Sequence, residues 1–149
     1  MKKNVLSVMA TCCFLALVAA ADVHAQMPGT VLRATIPFEF SVRGKTLPAG
    51  VYEIKRVTSE PGTLIVSSVN DNHERAMFET ERIEERTIMS RSELIFNRYD
   101  DNYFLSEVFA GGEQTGSEAI PSRQERTLKR ELARNGVKAE PETVTLAAY

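Results

Sequence analysis

Few residues in this sequence have the types and spacing that chemistry requires. Beyond the N-terminal segment it holds one histidine, His73, in a polar stretch behind Asn70-Asp71-Asn72. A general base needs its proton donor and its orienting partner at defined places around the imidazole. A lone histidine in a polar turn reads first as solvated. Without it no Ser-His-Asp unit can be assembled, and G-x-S-x-G is absent. H-E-x-x-H, C-x-x-C and the Walker and dinucleotide glycine patterns are also absent. Gly111-Gly112 and Gly116 are spaced wrongly for a phosphate loop. The residues therefore predict no catalytic, cofactor-binding or metal-ligating side chain.

Carboxylates are the remaining chemistry. Glycoside hydrolysis needs only two acids at the right separation. A small carboxylate-dependent hydrolase would show two converging in a concave site, at least one with a raised pKa. Yet each acid here has a plain surface role, and a domain of this size leaves little room for a cleft that buries a sugar. Asn70-Asp71-Asn72 and Asp100-Asp101-Asn102 carry oxygens suited to calcium. Neither matches the calcium-loop spacing, and tight turns favour the same residues.

The N-terminus reads as a secretory signal over residues 1–25. Lys2 and Lys3 precede an uncharged apolar run from Val5 to Ala21, and Val23-His24-Ala25 offers a cleavage site before Gln26. Ala19-Ala20-Ala21 offers a second. A retained anchor is the rival, since the 17-residue run approaches the roughly 17–25 residues that span a bilayer. Cleavage is favoured because small residues, and no stop-transfer charge cluster, follow the apolar run. Cys12 and Cys13 are the only cysteines and lie inside it; Thr11 before Cys12 fits a lipidation site poorly. The mature domain then has neither disulfide nor thiolate chemistry and must hold by burial and strand pairing. Residues 26–149 suffice for one core. They carry 16 Lys and Arg against 19 Asp and Glu. This balance gives no bulk attraction for nucleic acid or an anionic membrane.

The elements follow from period and punctuation. Phe38, Phe40 and Val42 alternate with Glu39, Ser41 and Arg43, which predicts a strand with one apolar face. Pro37 marks a bend or bulge ahead of it. Val51 to Val57 predicts a strand with Tyr52 and Ile54 on one side and Glu53 and Lys55 on the other. Leu64 to Val69 and the weaker Glu74 to Glu79 follow, set off by Glu60-Pro61-Gly62 and Asn70-Asp71-Asn72. Residues 80–92 are rich in charge and read as a solvated loop, with a short amphipathic helix as the alternative. Leu94 to Tyr99 and Tyr103 to Phe109 make the clearest hairpin, around Asp100-Asp101-Asn102. Its rings read as cross-strand packing rather than a nucleobase platform, because no basic surround accompanies them.

Gly111 to Ile120 reads as a flexible loop. Ser122 and Glu125 then form a capping box for a helix over about 122–135, ended by Gly136. Leu128 and Leu132 are its only strong apolar anchors, too few for a membrane-surface helix. Residues 137–149 read as a polar tail in which Thr143 to Leu146 could add a last strand.

Ile36-Pro37-Phe38-Glu39-Phe40-Ser41-Val42, continuing through Gly44-Lys45-Thr46-Leu47-Pro48-Ala49-Gly50-Val51-Tyr52, carries the pattern I-P-F-x-F-x-V-x-G-K-x-L-P-A-G-x-Y. In this the chain resembles a family of small exported β-rich proteins of environmental bacteria. Leu94 to Tyr99, Tyr103 to Ser106 and Ser122 to Arg126 resemble it too. The resemblance implies export and a β-rich fold, and brings no catalytic residue, cofactor or partner with it. The L-P-A-G-x-Y turn has its own physical sense: Pro48 and Gly50 set the turn, and the Tyr52 hydroxyl can tie down a nearby backbone group.

These patterns predict a mainly β domain, an antiparallel β-sandwich or small open barrel of about six to eight strands with one C-terminal α-helix. The expected role is that of a non-catalytic exported module, periplasmic or extracellular, binding an envelope protein through a sheet edge or loops. It would have no membrane span once the signal is removed. One alternative is a small apolar-ligand carrier in which Phe38, Phe40, Phe96 and Phe104 line a cavity. The carboxylate-dependent hydrolase is the other.

Overall fold

The computed structural model describes residues 30–57, 62–71, 73–136 and 140–149. The segment expected from the sequence to be a signal, with its expected cleavage sites and the two cysteines, and residues Glu60, Pro61 and Asn72 of two predicted turns, lie outside the described residues.

The described chain is mainly β, with ten strands in an open sheet and one helix near the C-terminus. The strands are β1 (Thr30–Ile36), β2 (Phe40–Val42), β3 (Lys45–Leu47), β4 (Gly50–Arg56), β5 (Thr63–Ser68), β6 (Arg75–Glu84), β7 (Ser92–Tyr99), β8 (Asn102–Phe109), β9 (Thr115–Ala119) and β10 (Glu142–Ala148). The helix α1 spans Arg123–Arg134. Antiparallel ladders join β1 to β4, β4 to β5 and β5 to β6. β6 then changes partner along its own length. Residues Arg75 to Glu79 pair β5, and Thr80 to Glu84 pair β9. From there the ladders run β9 to β8, β8 to β7 and β7 to β10. The hairpin β2–β3 attaches to β8 through one parallel step, Ser41 opposite Phe104. Although the sheet is open, its ends meet at one point. Arg33 and Tyr149 exchange backbone hydrogen bonds of 2.7 and 2.9 Å, the pattern of a hydrogen-bonded antiparallel pair.

Alternation decides which face is buried. Leu32, Ala34 and Ile36 of β1, Tyr52 and Ile54 of β4, Leu64 and Val66 of β5, and Ala76 and Phe78 of β6 share one core with Leu94, Phe96, Leu105 and Val108 of the β7–β8 hairpin. Val144, Leu146 and Ala148 of β10 pack against it. Pro37 sits in the break between β1 and β2, as its missing N–H requires. The two-residue turn of β7–β8 places Asp100 at φ 52°, a conformation Asp adopts more readily than most residues.

Two sequence expectations are corrected and one is extended. Residues 80–84 are strand, not loop or helix, because β9 supplies a partner ladder; only 85–91 are loop. The predicted loop from Gly111 to Ile120 contains β9. In the predicted polar tail, the strand allowed over Thr143 to Leu146 is present and longer, as β10, paired with β7 from Arg98 to Ser92. With the two three-residue strands β2 and β3, these additions bring the count above eight.

Candidate functional site

The four rings expected to line a carrier cavity do not face one space. Phe38 and Phe40 both meet the Phe96 ring edge-on, with centroids at 5.3 and 5.6 Å, and Phe40 meets Tyr52 the same way at 5.1 Å. Phe38 also stacks on Tyr103 at 3.9 Å. Phe40, Phe96 and Tyr52 are fully buried, and edge-to-face contact at these separations is how rings fill a core. Phe104 is on the other face of β8. Its neighbours Tyr103 and Leu105 point into the core, while Phe104 meets Tyr99 at 6.0 Å outside it.

That outer face of β7–β8 is where α1 docks. Ser122 at the N-cap accepts a hydrogen bond from the Glu125 amide at 3.1 Å, as the capping box predicts. The Glu125 side chain is buried at the sheet, where Asn97 Nδ2 donates to it at 3.1 Å. Burial pushes its carboxyl above the usual range. Hydrogen bonds from Asn97 and the Ser122 backbone, with Lys129 and Arg126 nearby, offset part of that shift. The Tyr99 hydroxyl is pushed up as well, by burial first and by the Glu125 charge second.

The acids do converge once, on the outside of the sheet. Glu118 of β9 lies directly opposite both Glu81 of β6 and Glu107 of β8. Like charges placed so oppose the pairing. Burial, followed by the charges of Glu118 and Glu85, raises the Glu107 carboxyl. The adjoining hollow is about 90 Å³ and is lined by Glu81 and Glu118, with Glu107 not among its walls. That is well short of the roughly 300–1,000 Å³ of typical small-molecule sites, so the row provides no cleft for a sugar.

The remaining candidates are spent on turns. Asp71 Oδ1 accepts from the His73 amide at 2.8 Å, and His73 is exposed. Lys45 Nζ of β3 caps the His73 and Arg75 carbonyls at 3.1 and 2.8 Å, pinning the β2–β3 hairpin to the start of β6. Asn102 Nδ2 donates to the Tyr99 carbonyl at 3.3 Å. Among the described residues no three His, Cys, Asp or Glu side chains converge as a metal site needs.

Sequence reasoning missed a surface. On the outer face of β4–β6, Ile65 lies opposite Met77 and next to Lys55 across the ladder. Met77 is 57 % exposed, with Val69 at 44 % and Val57 at 36 % at the strand ends. Charged side chains of β4 lie on the same face between the ends marked by Val57 and Val69. Glu53 pairs with Arg33 and with Lys55 at 2.8 Å. These hydrogen bonds hold the Glu53 carboxyl down to about 2. The sequence signal was present: Ile65 and Met77 are apolar at positions the period assigns to the solvent side.

Comparison with protein-family models, curated proteins and solved structures found no match. No helix among the described residues is long and apolar enough to cross a membrane.

Proposed function

We propose that this is an exported, non-catalytic β-domain that docks onto another protein of the cell envelope through the outer face of β4–β6. The observation that carries it is the contrast between the two outer faces. On β7–β8 the outward rings of Tyr99 and Phe104 are buried and Asn97 holds Glu125 of α1, whereas the face on β4–β6 leaves Met77, Val69 and Val57 to solvent. The Ile65–Met77 pair with ion-paired charge beside it has the composition of a recognition surface. The packed rings of Phe40, Phe96 and Tyr52 weigh against an internal carrier cavity. Export rests on the pattern Lys2-Lys3, Val5 to Ala21 and Val23-His24-Ala25.

The test is capture of envelope proteins by the exported protein and by its Met77→Glu variant, compared by mass spectrometry. The expected result is a protein retained by the parent and lost by the variant, which puts a charge on this face without touching the core. Recovery of nothing above background, with or without calcium, would overturn the docking role. Equal recovery by both proteins would remove this face from it. The mass of the exported form checks the leader, and a chain beginning at Gln26 is expected.

A further inference from the structure

One end of the core is closed by charge instead of carbon. Along β4 the inward positions read Tyr52, Ile54, Arg56, and along β6 they read Ala76, Phe78, Thr80, Arg82. Tyr52, Ile54, Ala76 and Phe78 are buried, so the period that places them inside carries both arginines to the same rim. Register supports this placement. Arg56 lies opposite Leu64, and Arg82 lies opposite Ser117, which in turn faces Val108. Between them opens a hollow of about 210 Å³, with Arg56, Arg82 and Glu113 at its walls and Leu64 and Val108 below. Leu64 and Val108, both buried, give the hollow its apolar part, and Thr115 and Ser117 line it as well.

Neither arginine is in an ion pair among the described residues, whereas Arg33, Arg43, Arg91 and Arg98 each have a carboxylate. Two guanidinium forks without an ion-pair partner at the walls of one hollow are an arrangement that recognises a planar oxyanion. Glu113 leaves the rim one net positive charge, which suits a monoanion better than a phosphate dianion. The volume lies below the roughly 300–1,000 Å³ of drug-sized sites and limits the occupant to a short-chain acid.

We infer that this mouth is a binding site for a small amphiphilic monocarboxylate, its carboxylate held between Arg56 and Arg82 and its short apolar tail on Leu64 and Val108. The site is separate from the face of β4–β6 proposed for docking, and either can fail without the other.

The experiment is calorimetric titration of the purified protein with hexanoate, hexanol and acetate. Saturable one-to-one binding of hexanoate is expected, with hexanol and acetate each at least about tenfold weaker because one lacks the charge and the other the tail. Arg56→Gln and Arg82→Gln should each weaken hexanoate by about tenfold, consistent with a lost charge-assisted bond. Glu113→Gln should tighten it a few-fold, a gain that a misfolded variant could not produce. Absence of saturable heat with hexanoate would overturn the site. So would hexanol binding as well as hexanoate, or unchanged affinity in the Arg56→Gln, Arg82→Gln double variant.

Discussion

Gly116 has no side chain because Phe109 occupies its place. The two lie directly opposite across β8 and β9, and a Cβ on Gly116 would run into the Phe109 ring. The ring covers the bare backbone and is itself buried, a cross-strand arrangement known to repair glycine in a strand. Gly116→Ala should therefore destabilise the fold by about 1–3 kcal/mol through overpacking, measured as a lower urea midpoint with an unchanged slope. Titration acts on other residues and in two directions. Glu125 and Glu107 have pKa values raised in the folded state from the ordinary 4.5, so folding favours their protonated forms. Stability should rise as the pH falls from neutral through the raised values toward 4.5. Glu53 acts oppositely, since Arg33 and Lys55 hold its carboxyl near 2; its contribution is lost as pH falls from 4.5 to about 2. The urea midpoint is expected to peak under mildly acidic conditions. Glu125→Gln should flatten the neutral-to-acid rise, and an unchanged rise in that variant would contradict the assignment.

Helix α1 is held at one end. Its first turn supplies the Ser122 cap and the buried Glu125, while Leu128 and Leu132 are only partly buried. Ser122→Ala should cost about 1 kcal/mol, and the loss should show first as faster amide exchange in residues 123–127. The helix was legible in the sequence because a cap, a box and a terminal glycine are local signals; Gly136 does take a positive φ of 69°. The β7–β8 hairpin and β4 were legible for the same reason, since alternation and turn residues lie within each. Tyr52 also met its expectation, its hydroxyl donating to the Pro48 carbonyl at 2.8 Å. β9 was not legible. Thr115-Gly116-Ser117-Glu118-Ala119 buries only a glycine, and its strand state comes from β6 and β8 on either side. The second half of β6 fails similarly. Past Phe78 the positions in the same phase are Thr80, Arg82 and Glu84, all polar and the last two exposed, so the apolar period stops where the strand does not. Arg56 and Arg82 could have been found by noting cations at positions in phase with the buried residues of β4 and β6.

The described residues form a packed interior, with a helix tethered to one outer face through Glu125, exposed apolar side chains on another and one charged mouth. No disulfide can form among the described residues, whose stretches contain no cysteine. Burial and pairing carry the stability, including the link between Arg33 and Tyr149 that brings the sheet ends together. With the rings of Phe40, Phe96 and Tyr52 packed inside and Met77 exposed outside, docking through β4–β6 is the central proposal. Its most direct test is photocrosslinking in intact cells, with a photoreactive residue at position 77 and a second preparation with it at position 131 on α1. The account predicts a discrete adduct with an envelope protein from position 77 and none from position 131. No adduct at 77, or the same adduct from both positions, would contradict it.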